Sequence, residues 1–141
     1  SWHWHAFGGI RFATPAQWRT TKSRVWYPCW WVINSARTVK LVNATRIARF
    51  ICPPPPSTAD AMSPLHGVVV GAGRYMSLHH PVSHRCRLLH GMRAYFVMPG
   101  PGSPLELAVY VPGRNKPTVV DIGLAGNGLE ARTIFESIRP T

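Results

Sequence analysis

Residues 105–124, LELAVYVPGRNKPTVVDIGL, constrain the fold more than any other stretch of the chain. Leu105, Leu107, Val109 and Val111 alternate with Glu106, Ala108 and Tyr110, and Val120, Ile122 and Leu124 repeat the two-residue period beyond PGRNKP. Successive side chains of a strand point to opposite faces, so the pattern describes two half-buried strands joined by a turn rich in proline and glycine. A ribbon with one apolar face must be covered, and the cover follows at once. In GNGLEARTIFESIRP, residues 126–140, Ala131, Ile134, Phe135 and Ile138 recur at spacings of three and four and share one helical stripe. Asn127 fits the N-cap, Glu130 three residues later can reach back to its amide, and Pro140 stops the helix. Together these elements predict an α+β fold, an antiparallel sheet with a C-terminal helix packed on one face.

Further strands are legible upstream. GGIRFATP, residues 8–15, alternates Ile10 and Phe12 with Arg11 and Ala13, and Trp18 can then fold back. RVWYPCWWVI, residues 24–33, is β-prone, with Pro28 marking an edge or a bulge. Residues 38–51 and 93–98 read as strands too. The four prolines 53–56 form a stiff loop in polyproline II geometry, not a domain boundary, because neither flank can bury a core alone. At 141 residues, 45% apolar and 15% charged, residues 1–141 form one globular domain. HGVVVGAG, residues 66–73, has the outline of a dinucleotide-binding turn, but Met76 takes the place of the third glycine and Pro81 blocks the helix that must follow. It reads instead as a buried strand ending in a glycine turn.

Sixteen Lys and Arg face five acids, and eight cations precede the first acid, Asp60. A net charge of +11 favours anionic partners such as nucleic acid, anionic lipid or acidic polymers. The cations are dispersed, thirteen are Arg, and no apolar run approaches the roughly 18 residues of a membrane span. All six tryptophans lie in the first 31 residues. Trp and Arg dominate interface hot spots, so Trp2, Trp4, Trp26, Trp30, Trp31 and Arg24 are the candidate binding residues. The pairing of Cys29, Cys52 and Cys86 stays open, since three thiols allow one disulfide in three ways.

HHPVSHRCRLLH, residues 79–90, offers nitrogen and sulfur donors for zinc: His80, His84, Cys86 and His90, with His79 beside them and His3, His5 and His66 remote. On a strand through 84–90, His84, Cys86 and His90 share one face, and Arg85 and Arg87 the other. The surrounding arginines repel a dication, and no carboxylate between Asp60 and Glu106 is at hand to orient the imidazoles. No metal and no cofactor is expected. Five acids leave little for a paired-carboxylate hydrolase, although folding can still bring two of Asp60, Glu106, Asp121, Glu130 and Glu136 together. A metal-independent ribonuclease needs no acid. His84 and His90 would serve as its acid and base, with Arg87 stabilising the phosphorane.

Two segments resemble a known group. GIRFATPAQW, residues 9–18, resembles the opening G-x-x-F-x-x-P-x-x-W hairpin of small exported actinobacterial domains, and residues 123–140 are similar to their closing strand and helix. YPC at 27–29 and CPPPP at 52–56 stand where such domains carry cysteine landmarks. The resemblance implies a PsbP-like α+β build, an extracytoplasmic or secreted location and a binding role. It brings no catalytic residue. The expectation is a binding module for a protein partner or an anionic envelope polymer through an aromatic, Arg-rich surface, leaning away from an enzyme. The alternative is a metal-independent ribonuclease or a toxin-like nucleic-acid-binding domain.

Overall fold

The computed structural model describes residues 1–26, 37–49, 67–74, 76, 82–97, 105–123 and 128–141. Among them run β1 (Trp2–Phe7), β2 (Ile10–Pro15), β3 (Arg19–Trp26), β4 (Thr38–Ile47), β5 (Val68–Ala72), β6 (Val82–Leu89), β7 (Met92–Val97), β8 (Leu105–Tyr110), β9 (Thr118–Ile122), α1 (Gly128–Ser137) and β10 (Arg139–Pro140). A seven-stranded sheet has the order β3-β4-β5-β9-β8-β7-β6, and β1, β2 and β10 form a second, three-stranded sheet. The class is α+β, with the helix at the C-terminal end. No helix among the described residues is long and apolar enough to cross a membrane.

The hairpin expected over 105–124 forms as β8 and β9, with Leu107 opposite Val120 and Val109 opposite Thr118. Its strands are not half-buried as the alternation suggests, because Glu106, Ala108, Val119 and Asp121 on the second face are buried too. The large sheet is mixed, not purely antiparallel, because β3, β4 and β5 run parallel. Parallel neighbours need a crossover of about a dozen residues or more, and residues 27–37 and 48–67 provide that length. Both faces of β5 are covered. Val68 and Val70 join the main core, whereas Val69 belongs to a second cluster with Trp26, Val42, Ala44, Met76 and Val119. That is why VVV shows no polar alternation. Gly71 is set by close packing: a Cβ there would lie 2.3 Å from the Trp26 ring and 2.8 Å from the Met76 sulfur.

The main core lies between one face of the large sheet and a layer made by the small sheet and α1. Ile10 and Phe12 of β2 and the helical stripe Ala131, Ile134, Phe135 and Ile138 close over Val39, Leu41, Val70, Leu107, Val109 and Ile122. Ser137 joins the two parts of the covering layer, since its Oγ accepts the Ala13 N–H at 2.9 Å and donates to the Ile134 carbonyl at 2.6 Å. Past the helix the chain does more than stop, because Arg139 and Pro140 pair with Arg11 and Ile10 of β2.

The N-terminal WHWH belongs to strand β1, which is paired along its whole length with β2. His5 anchors it. Its ring stacks on Phe12 with centroids 5.0 Å apart, and Nε2 lies 2.7 Å from Thr14 Oγ1. Phe7 faces Ile10 across a two-residue loop in which Gly8 (φ 63°) and Gly9 (φ 80°) are both left-handed. Such a turn matches the twist of the flanking strands and suits glycine at both central positions.

Candidate functional site

Alternation along β1 sorts its aromatic residues. His5 is buried, while Trp2 and Trp4 are exposed at 42% and 46%. Trp18 and Trp26 are buried at 7% and 3%, so Trp26 is a core residue and not the surface anchor suggested by its place in an aromatic run. Its ring fills the space left by Gly71. Trp30 and Trp31 lie outside the described residues. Arg24 is exposed and lines a cavity.

That cavity, of about 260 Å³, is bounded by Phe7, Lys22, Ser23, Arg24, Leu41 and Asn43. A second, of about 320 Å³, is bounded by Ala72, Gly73, Arg74, Arg114, Asn115, Lys116, Pro117 and Thr118. The tip of the β1–β2 hairpin lies between them. Phe7 lines the first; Gly8 packs on Ala72 and Thr118 of the second, and its carbonyl accepts the Thr118 hydroxyl at 2.6 Å. Gly9 sits so close to Arg114 that a Cβ would come within 2.8 Å of Nε. The cavities adjoin, since Asn43 Oδ1 is 2.9 Å from where a Gly73 Cβ would be, and Asn43 pairs with Ala72.

Lys22, Arg24, Arg74, Arg114 and Lys116 are all exposed around these two hollows, and no described acid lines either. Among the described residues Lys22, Arg24, Arg114 and Lys116 have no ion-pair partner. From β3 to β9 the arrangement crosses three strand spacings, about 14 Å. Composition announced the cations, but their convergence was hidden, because they come from β3, the end of β5 and the β8–β9 loop.

Two of the five acids meet on the other face of the large sheet. Glu106 of β8 and Asp121 of β9 are direct partners, buried to 9% and 0% exposure. Neither Asp121 oxygen has a hydrogen-bond donor among the described residues. Two carboxylates are both acceptors and cannot bond to each other, but adding one proton supplies the missing hydrogen. Burial first, then the Glu106 charge and a hydrogen bond with Glu106, push the Asp121 pKa well above the usual carboxylate range. Lys40 stands in the same cross-sheet row beyond Val69 and is depressed by burial, yet makes no ion pair with Asp121. This pair can hold a proton. It lines neither of the cavities described above.

The histidine-rich segment takes other roles. Residues 82–89 form β6, whereas His90 stands in the following turn with φ 48°, its Nδ1 2.8 Å from the Ile138 carbonyl. Arg87 lies over the Phe135 ring, 5.2 Å from its centroid. Cys86 is an exposed free thiol. His79, His80 and the His84 side chain lie outside the described structure, as do Cys29, Cys52 and Asn127. Among the described residues no three His, Cys, Asp or Glu converge on a metal position. Burial, and then the neighbouring His3, push the His5 pKa below the usual imidazole value.

Compared with protein-family models, curated proteins and solved structures, the chain matches none.

Proposed function

We propose that this chain is an extracytoplasmic binding module whose ligand is an anionic polymer laid across the basic end of the large sheet. One observation carries the reading: five exposed cations from three separate elements surround two adjoining cavities that no described acid lines. Cations of one sign around a concave surface focus the field and raise the local concentration of an anionic ligand. A span of about 14 Å suits a polymer better than a single small anion. The resemblance of residues 9–18 and 123–140 to exported actinobacterial domains supports the extracytoplasmic setting and an envelope polymer.

The test is binding of fluorescent poly(glycerol phosphate) at low salt by the wild type and by the triple variant Lys22→Gln, Arg114→Gln, Lys116→Gln. All three side chains are exposed, so the fold should survive. At about 1 kcal/mol for each cation near an anionic surface, affinity should fall on the order of 100-fold. Equal affinity of the two proteins would remove the basic end as the site. Cleavage of RNA by the wild type would favour the ribonuclease alternative.

A further inference from the structure

A third cavity, of about 350 Å³, lies on the small sheet and is lined by Trp2, Trp4, Ala13, Thr133, Glu136, Ser137 and Arg139. It does not depend on the polymer reading. The Trp4 indole is held in place: the Arg11 and Arg139 guanidinium carbons lie 5.2 and 4.9 Å from its ring. Arg139 is fixed in turn, its Nε donating to the Ser137 carbonyl at 3.1 Å. Trp2 and Trp4 stand on one face of β1 and are both exposed; guanidinium groups lie over the Trp4 ring, which leaves the Trp2 indole as the open apolar surface of the cavity, with polar groups at its border.

From this combination we infer that the cavity binds a sugar ring bearing a carboxylate, of the hexuronate type. The C–H face of a pyranose is flat and apolar and matches the exposed Trp2 indole, while Trp4 holds the guanidinium groups beside it. Its hydroxyl groups are donors and need acceptors within one ring's width. Glu136 is one; Thr133 Oγ1 is another, since its own hydrogen goes to the Leu129 carbonyl at 2.9 Å and its lone pairs stay available. The guanidinium group of Arg139 supplies the charge for the carboxylate, with Arg11 on the same Trp4 ring behind it, and Glu136 is paired with Arg132, 3.3 Å away. A phosphodiester group brings no donor for Glu136 or Thr133, so at this border a phosphate fits less well than a ring carrying hydroxyls. The volume lies at the small end of ligand cavities and suits one or two rings.

Isothermal titration of the whole chain with a β-1,4-linked glucuronate tetrasaccharide and with cellotetraose, which has the same backbone without carboxylates, tests this. The uronate should bind at least 10-fold more tightly than the neutral sugar. Trp2→Ala and Trp4→Ala should each weaken it 10-fold or more, and Arg139→Gln should erase the preference for the acid. The triple variant of the basic end should bind the uronate as the wild type does, which separates this site from that one. Binding of neither sugar, unchanged binding by Trp4→Ala, or Trp4-dependent binding of an RNA oligonucleotide in place of the uronate would overturn the inference.

Discussion

Asp121→Asn is expected to stabilise the chain at pH 7 by about 1–3 kcal/mol, because it removes a fully buried carboxyl that must either ionise beside Glu106 or keep a proton that the unfolded chain releases. The raised Asp121 pKa means that the folded state holds a proton more tightly than the unfolded chain. Its contribution is therefore fully present below the ordinary aspartate pKa of about 3.9 and is lost as pH rises through the folded value. Over that window wild-type stability should fall by about 1.4 kcal/mol per pH unit. Urea denaturation at a series of pH values reads this directly. The wild-type curve should decline from acid toward neutral, while Asp121→Asn should be flatter and lie above it at pH 7. Glu106→Gln should flatten the curve in the same way, since the two residues share one proton. Parallel pH profiles for all three proteins would show that the pair is not coupled as described.

Phe12→Ala should cost about 3–5 kcal/mol, a large part of the 5–15 kcal/mol that a domain of this kind commands. The ring is fully buried and central to the covering layer, between the helical stripe and the inner face of the large sheet. It also stacks on His5 at 5.0 Å. Removing it opens His5 to water, so the imidazole pKa should rise toward its ordinary value near 6.5. Chemical denaturation measures the first effect and proton NMR of the His5 ring the second. A loss below 1 kcal/mol with an unmoved His5 would mean that β2 does not close the core.

The elements legible in the sequence were those whose apolar period is local. The alternation at 107–111 and 118–122 and the stripe Ala131, Ile134, Phe135, Ile138 each mark an apolar face, and Leu107, Val109, Val120, Ile122 and the stripe lie together in the main core. Strand direction was not legible, because the parallel pairing of β3, β4 and β5 depends on connections whose lengths permit a crossover without requiring one. Trp26 illustrates another limit. Exposure of a tryptophan in an aromatic run is decided by what lies opposite, here Gly71, which is far away in the chain. The same holds for the sites. Arg24 and the Trp2 and Trp4 pair were singled out by residue type, but the partners that turn them into cavities come from β1 and β4 for Arg24 and from β2, α1 and β10 for the indoles. Glu106 and Asp121 are 15 positions apart, and the hairpin pattern at 105–124 already placed both on the outward face of facing strands. Which residue faces which was not set by the alternation, because it fixes the side of each strand and not the register between them.

The basic end is tested most directly by the salt dependence of poly(glycerol phosphate) binding. The logarithm of the association constant should fall linearly with the logarithm of salt concentration. The triple variant Lys22→Gln, Arg114→Gln, Lys116→Gln should show a slope shallower by about 2, from roughly 0.7 per lost contact to a single-stranded polyanion. Identical slopes for wild type and variant would contradict the assignment, because those three cations would then displace no counterions.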